Sequence, residues 1–237
     1  GVDLTQIEQA KGKSFFWAGE YSENFTSRKT LITDLGVFEH FNPSIRAHLT
    51  KSRCLFLGNI HPAVQSSVLE QMDSPELVVC DTMNYWIDQN KKELLDLLRR
   101  VDILMINDSE ARQLTGESNL LQASRVIQGL GPRSVVIKKG EHGALFFATD
   151  WCFSVPGLLL EKVVDPTGAG DSFAGGFMGY LSAQKAFTPD VFRMAMVYGT
   201  VMGSFAVESF SIDMLEMINE ENILKRVSEL KKLTAFD

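Results

Sequence analysis

The sequence predicts an α/β fold: a doubly wound, mainly parallel sheet with helices on both faces, and a small β-flap near the N-terminus. Three observations indicate this fold. From Arg53 onward, short apolar runs alternate with helical patterns, and the runs are apolar throughout, which is typical of strands covered on both faces. An aromatic, strand-like stretch precedes them. We therefore expect a flap with its connection at residues 1–50 and an α/β core at residues 51–237.

The expected elements of the core follow one another in strand–helix order. The predicted strands are residues 54–57, 77–80, 103–106, 135–138 and 144–148. The predicted helices are residues 62–72, 91–100, 108–114, 119–130, 172–184, 189–205, 212–217 and 220–233. This alternation predicts a parallel sheet whose strands are joined by helices.

The first part of the chain has a different pattern. Residues 14–21 and 30–38 are strand-like, and alternation in the first run puts Phe15 and Trp17 on one face. We expect the two runs to form a flap that closes over a substrate and excludes water, with Trp17 as a candidate substrate contact. The alternative is that the aromatic side chains pack in a homodimer interface or against the body, and the two roles are compatible.

Charge and composition exclude several classes of protein. The net charge of −7 and the pI of about 5.2 argue against a nucleic-acid partner. No apolar run approaches the length of a membrane span, and no secretory leader is visible at the start. Cys54, Cys80 and Cys152 are odd in number and lie in apolar runs, so we expect buried thiols, a reducing compartment and a cytoplasmic location.

The most informative segment is residues 163–176, in which a glycine-spaced loop leads into a helical pattern. Gly168 and Gly170 let backbone N–H groups converge on one point. The helix that follows adds its own unpaired N–H groups and the positive end of its dipole, so we expect a site for an anion such as phosphate. An anion at this site would repel the neighbouring carboxylate of Asp171, so we expect this residue to have a chemical role. Accepting a proton from an attacking hydroxyl group would be such a role.

The segment also resembles the D-x-x-G-A-G-D signature of the ribokinase-like (PfkB) family of small-molecule kinases, here Asp165, Gly168, Ala169, Gly170 and Asp171. The resemblance implies that Gly168, Ala169 and Gly170 form an anion hole for the transferred phosphoryl group. It implies that Asp171 is the general base. It further implies ATP and Mg²⁺ as cofactors and a sugar or a nucleoside as the substrate.

Polar residues follow several of the predicted strands, where ligands gather in parallel α/β sheets. Asn59 and Asp81 are candidate substrate contacts on this ground. Asn107 and Glu110 match the N-x-x-E motif of the family, and the resemblance implies that Glu110, mainly through water, organises Mg²⁺ near the phosphates. The alternative is a helix cap at the same two residues, and both roles can coexist.

Two further segments are candidates for binding the nucleotide. One turn has a glycine spacing that matches the nucleotide-side turn of the family, and its candidate residues are Lys138, Lys139, Gly140 and Gly143. A lysine in such a turn binds phosphate as a point charge. A hairpin turn with solvated lysines is the alternative.

The second segment contains Gly203 and Val207, where the family has its adenine pocket. Small residues admit a flat base, and equally they let two helices pack closely. The sequence leaves both alternatives open.

The chain departs from the family pattern in two ways. Family members usually carry a strand and a glycine-rich substrate segment before the equivalent of Gly1, so we expect a truncated or shortened form whose open sheet edge is covered by a partner chain or a second copy. Many family sugar kinases have an arginine shortly after the residue equivalent to Asp81. Here Tyr85 or Trp86 stands in that region, which either alters the phosphate contacts or favours a flat, nucleoside-like substrate.

These observations together predict an ATP-dependent kinase acting on a hydroxyl group of a sugar or nucleoside, with no nucleic-acid or membrane partner. One alternative is a catalytically impaired nucleotide-binding or scaffold protein of the same fold. Another is an oxidoreductase with a dinucleotide at the glycine loop, which the sequence disfavours because Phe173 replaces the third glycine of that fingerprint.

Overall fold

The computed structural model describes residues 3–22 and 28–235. Residues 1–2, 23–27 and 236–237, which the expected flap and core include, lie outside the described residues. Near the N-terminus, β1 (Phe16–Tyr21) and β2 (Arg28–Asp34) pair antiparallel in a separate two-stranded sheet. This is the expected flap. The boundary between residues 50 and 51 stays a prediction.

The main sheet has its strands side by side in the order of the chain. They are β3 (Cys54–Leu57), β4 (Leu77–Asp81), β5 (Ile103–Asn107), β6 (Ser134–Lys138), β7 (Ala144–Phe147) and β8 (Cys152–Val155). Neighbours from β3 to β6 pair parallel, whereas β7 and β8 are antiparallel additions. Because β4 to β6 are parallel, their carboxyl ends lie along the same edge of the sheet.

Helices cover both faces of this sheet. In chain order they are α1 (Pro62–Glu70), α2 (Asn84–Gln89), α3 (Lys91–Leu98), α4 (Asp108–Thr115), α5 (Leu120–Leu130), α6 (Ala169–Ser182), α7 (Pro189–Ala206), α8 (Asp213–Met217) and α9 (Glu220–Thr234). Among the described residues, no helix has both the length and the apolar content needed to cross a membrane.

The strand residues divide between two hydrophobic cores according to their parity. Val78 and Cys80 of β4 pack in one core with side chains of α2 to α5. Leu77 and Val79, which alternate with them, pack in the other core with α6, α7 and α9. Since successive side chains of a strand point to opposite faces, α6, α7 and α9 cover the face opposite to α2 to α5. The sequence prediction of a mainly parallel sheet with helices on both faces is thus confirmed.

Some local expectations were wrong. The predicted strand at residues 30–38 ends at Asp34, because Gly36 has a positive φ of 52° that a strand does not accommodate, and a short 3-10 helix follows at Gly36–His40. The helix α2 and the strand β8 were not expected; both are short, and β8 alternates exposed and less exposed residues instead of being apolar throughout. Of the three cysteines only Cys80 is buried, and Cys152 is exposed.

Candidate functional site

The loop before α6 is fixed by backbone hydrogen bonds. The carbonyl oxygen of Val207, just after α7, accepts from the N–H groups of Val164 and Asp165 at 2.8 and 3.3 Å. The Asp165 carboxylate in turn accepts from the N–H of Thr167 at 2.9 Å. Gly168 then adopts a left-handed conformation with a φ of 80°, which favours glycine. Val207, a predicted nucleotide contact, therefore acts here as the anchor of the loop.

The helix α6 begins without a side-chain cap. Its N-cap is Gly168, which has no side chain to accept from the first amides. The N–H of Ala169 donates to the carbonyl of Pro166, but within the described residues the N–H groups of Gly170 and Asp171 donate to no backbone carbonyl. Free amides at a positive helix end are the physical requirement for an anion site, and an anion hole at Gly168, Ala169 and Gly170 stays a prediction.

Asp171 lies in the first turn of α6, beside these amides. The residue as a whole is exposed to solvent, but the surrounding protein displaces part of the water around its carboxyl group. This partial burial is the largest cause that raises the pKa of Asp171. The carboxylate of Asp81 raises this pKa further, and the ammonium group of Lys138 lowers it. A carboxylate that is accessible and has a raised pKa is suited to accept a proton.

Asp81 and Lys138, predicted separately, form one ion pair. Lys138 Nζ lies 2.9 Å from Asp81 Oδ2, and the side chains are 17% and 6% exposed. The other carboxylate oxygen of Asp81 accepts from the N–H of Thr82 at 2.7 Å. A Cβ atom placed on Gly170 would lie 3.2 Å from Lys138 Nζ, so the lysine lies directly against the start of α6. The structure thus brings Asp81, Lys138, Gly170 and Asp171 together, and a direct contact of Asp81 with substrate stays a prediction.

Asn107 and Glu110 form a capping box at the start of α4. Asn107 Oδ1 accepts from the N–H of Glu110 at 2.8 Å, and Glu110 Oε2 accepts from the N–H of Asn107 at 3.0 Å. The cap alternative is therefore present in the structure. The described residues contain no cluster of three His, Cys, Asp or Glu side chains suited to a metal ion. A single buried carboxylate still fits Mg²⁺, which binds through one or two carboxylates, waters and substrate phosphates.

Asn59 lies in a small aromatic cluster beyond the ends of β3 and β4. Its Oδ1 accepts from the indole N–H of Trp86 at 2.9 Å, and its Nδ2 is 3.2 Å from Met83 Sδ. The Trp86 ring meets the rings of His61 and Tyr85 edge-on, with centroids 5.1 and 4.8 Å away. The sequence indicated Asn59 and the aromatic pair separately, and only the fold unites them with His61.

Gln65 is a site residue that the sequence analysis missed. It is buried on α1, and its Nε2 donates to the carbonyl oxygens of Gly58 and Asp81 at 2.8 and 2.9 Å. It therefore ties the carboxyl ends of β3 and β4 together. The sequence gives no signal that distinguishes it, because Gln65 is followed by Ser66 and Ser67 in the same helix.

The turn after β6 has a structural role at its second glycine. Gly143 has a φ of 82°, and a Cβ atom there would lie 2.0 Å from the carbonyl oxygen of Val155. The carbonyl of Gly143 accepts from the N–H of Lys139 at 2.8 Å. Gly140, with a φ of 57°, has open space around it, so a ligand can approach its backbone. Contacts of Lys139, Gly140 and Gly143 with nucleotide stay predictions.

Gly203 packs α7 against α6. A Cβ atom at Gly203 would lie 3.3 Å from the carbonyl oxygen of Ala169, and one at Gly199 would lie 2.9 Å from that of Phe173. Close helix packing, one of the two alternatives, is therefore present, and an adenine contact of Gly203 stays a prediction. Trp17 lies in the flap, where its indole N–H donates to Thr30 Oγ1 at 3.3 Å.

Comparison with known proteins identifies relatives of this chain. A family model described as pfkB family carbohydrate kinase matches residues 62–211. The cytidine kinase of Thermococcus kodakarensis is 34% identical over 186 residues, which are 76% of this chain and 66% of that protein.

Solved structures also match the fold. The nucleoside kinase of Methanocaldococcus jannaschii, described as an archaeal member of the ribokinase family, aligns over 93% of this chain and 70% of its own with a TM-score of 0.70 and 17% identity. The aminoimidazole riboside kinase of Salmonella enterica, complexed with aminoimidazole riboside and an ATP analog, aligns over 64% and 52% with a TM-score of 0.56 and 25% identity. The chain spans 66% of the cytidine kinase and 52% of the aminoimidazole riboside kinase.

Proposed function

Because the chain belongs to the pfkB family of carbohydrate kinases, we propose that it carries out ATP-dependent phosphoryl transfer to a hydroxyl group of a sugar or nucleoside. The observation that carries the proposal is the start of α6, where an accessible carboxylate with a raised pKa, Asp171, adjoins amides with no backbone acceptor in the described chain. A base and an anion site in adjacent positions are what transfer of a phosphoryl group from the phosphoanhydride of ATP to an alcohol requires.

In the proposed reaction, Asp171 accepts the proton of the substrate hydroxyl group. The substrate oxygen forms a bond to the γ-phosphorus of ATP while the bond from that phosphorus to the β,γ-bridging oxygen breaks and ADP leaves. The amides of Gly170 and Asp171, with the ammonium group of Lys138 beside them, stabilise the negative charge on the transferred group. Positioning and electrostatics supply most of the rate in such chemistry.

Mg²⁺ would be held near Glu110 and Asn107, largely through water, and when bound it would neutralise part of the triphosphate charge. The capping box fixes both side chains at the carboxyl end of β5. Since Asn107 of β5 is the direct neighbour of Lys138 on β6, these residues lie at the same edge of the sheet as the proposed phosphate site.

The substrate hydroxyl group would come from the side of β3 and β4. The cluster of Asn59, Trp86 and Tyr85 offers an oriented amide beside aromatic rings, and Tyr85 is 53% exposed. Such a surface supports an acceptor with a flat ring as well as hydroxyl groups. The relative named cytidine kinase supports a nucleoside in the same way.

The proposal is tested by measuring ADP release from ATP and Mg²⁺ with a panel of sugars and nucleosides. Asp171→Asn should retain ATP binding by calorimetry and lose turnover by about 10²–10⁴-fold, the usual contribution of a general base. Asp150→Asn, in the exposed turn between β7 and β8, is the matched control and should leave turnover unchanged. Equal turnover of Asp171→Asn and the unmodified protein would refute the base. ATP binding without transfer to any acceptor would favour the scaffold alternative.

We also infer that the flap forms a homodimer contact. Phe16, Leu31 and Ile32 are 54%, 55% and 53% exposed on its two strands, which is unusual for large apolar side chains so close together. Replacing Ile32 by Ser should shift sedimentation toward the monomer, whereas Leu224→Ser, an exposed leucine on α9, should not. A monomeric unmodified protein would contradict the contact.

A cytoplasmic location stays a prediction.

A further inference from the structure

The ion pair of Asp81 and Lys138 lies beneath the proposed base. Asp81 ends β4 and Lys138 ends β6, with β5 between them. Asp81 has the parity of Leu77 and Val79, and Lys138 has that of Val136, so both side chains project from the face that α6 covers. Each is mostly buried, and removing two charges from water can cost as much as such a pair returns in stability, or more. The pair therefore calls for a role other than stabilising the fold.

Both partners are held in fixed positions. The Asp81 carboxylate accepts from the N–H of Thr82, and its carbonyl accepts from the buried side chain of Gln65. Lys138 Nζ lies 2.9 Å from Asp81 Oδ2, and 3.2 Å from the position that a Cβ atom on Gly170, the residue before Asp171, would occupy. The ammonium group of Lys138 is thus held beside the first turn of α6.

The charged surroundings of Asp171 are few. The charged groups of the sheet that act on its carboxyl group are Asp81 and Lys138. The neighbouring helix α7 faces α6 with Gly199 and Gly203, which are uncharged, and Asp171 is the only acid in the first turn of its own helix. An opposite charge within about 4–6 Å favours the ionised form of a carboxyl group. Lys138 therefore opposes the effect of burial and of Asp81.

We propose that Lys138, anchored by Asp81, is a positioning residue that keeps Asp171 in its charged, proton-accepting form. This rests on the proposed function of Asp171 as the base. It differs from a lysine that only binds the phosphates of ATP, because such a lysine would change the KM for ATP and leave the protonation of Asp171 unaltered.

The test is the pH dependence of kcat/KM for the acceptor, which reports groups of the free enzyme. Lys138→Met should move the acidic limb of the profile up by about one pH unit, since the favourable charge is lost. Asp81→Asn should move it down, because a repelling carboxylate is removed and Lys138 remains. Lys138→Arg should restore a profile close to that of the unmodified protein. Lys92→Met, an exposed lysine of α3 on the other face of the sheet, is the charge control and should leave the limb unmoved.

Lys138→Met leaves Asp81 buried without its partner, so it can fail to fold. The double variant Asp81→Asn/Lys138→Met removes both charges and should give an acidic limb between those of the two single variants. Titration of Asp171 by NMR, with ¹³C-labelled aspartate, follows the same carboxyl group without turnover and should show the same order.

The outcomes separate the two proposals. An unmoved limb and unmoved titration in the single and double variants would overturn the role of Lys138 and leave the kinase proposal intact. Full turnover of Asp171→Asn would overturn the base, while the NMR titration would still decide whether Lys138 controls the charge of Asp171. A raised KM for ATP with an unmoved limb would assign Lys138 to phosphate binding alone.

Discussion

Two helices begin near the same edge of the sheet and treat their first amides in opposite ways. At α4 the side chain of Asn107 accepts from the N–H of Glu110, and Glu110 returns a hydrogen bond to the N–H of Asn107. At α6 the N-cap is Gly168, no side chain caps the helix, and the amides of Gly170 and Asp171 donate to no backbone carbonyl in the described chain. One helix start is closed by its own residues and the other is open.

The start of α6 therefore lacks a local stabilising interaction that the start of α4 has. Capping is worth about 1 kcal/mol at a typical helix start, and α6 forgoes it. The loop in front of α6 is instead held from a distance by the carbonyl oxygen of Val207, so the amides stay oriented while remaining available. The two acids differ in the same sense: Glu110 is buried and bonded to the backbone, whereas Asp171 is exposed.

The largest expected effect comes from making the open helix start anionic. Gly168→Asp adds a carboxylate beside the amides of Gly170 and Asp171, where it would repel a phosphate group. We expect ATP-dependent turnover to fall by about 10²–10³-fold, the range for losing an oxyanion donor, as measured by ADP release.

Gly168→Ala is the control for this variant, because it introduces left-handed strain without a charge. Its free energy of unfolding should fall by about 1–2 kcal/mol, measured by urea denaturation, with a much smaller loss of turnover. Equal turnover in the two variants would contradict an anion site at this helix.

A moderate effect is expected from opening the closed helix start. Asn107→Ala removes the capping box of α4 and should lower the free energy of unfolding by about 1 kcal/mol. It should also raise the Mg²⁺ concentration needed for half-maximal turnover, because the orientation of Glu110 is lost. Asn219→Ala removes the comparable box of α9 and is the matched control. An identical Mg²⁺ dependence in the two variants would show that Asn107 is only a cap.

The smallest expected effect concerns pH and stability. The pKa of Asp171 is raised in the folded protein, so its protonated form is favoured there more than in the unfolded chain. The free energy of unfolding therefore falls as the pH rises from about 4 through that raised pKa. Asp171→Asn should therefore have a slightly higher Tm than the unmodified protein at pH 7, and the difference should vanish below about pH 4.

Asp190→Asn, in the first turn of α7, is the control for the pH effect, since it removes an acid that favours its helix start. It should not raise the Tm at pH 7. A gain of the same size in both variants would contradict the account of Asp171.

Much of the site was predictable because its parts are local. The run from Gly168 to Asp171 carries its own turn and acid within four residues, and the structure has both as expected, with the helix beginning at Ala169, three residues before its predicted start. The strand β3 and the start of α4 are likewise set by an apolar run and by the spacing of Asn107 and Glu110. Periodicity and capping act over a few residues, so they are visible in the sequence.

Other features depend on contacts between distant residues and were not predictable. Asp81 and Lys138 are 57 residues apart, and nothing in either segment indicated that they pair. Gln65 has no distinguishing feature in the sequence, and only the fold brings its side chain to the carbonyl oxygens of Gly58 and Asp81 at the ends of β3 and β4. The glycine at 143 proved to be required by the backbone of Val155.

Short-range backbone preferences and hydrophobic periodicity were enough to indicate the type of fold, the order of most elements and the acid beside the glycine turn. The tertiary structure alone decided which charges surround that acid. Parallel strands align their carboxyl ends whatever their separation along the chain, and electrostatic coupling depends on distance in space.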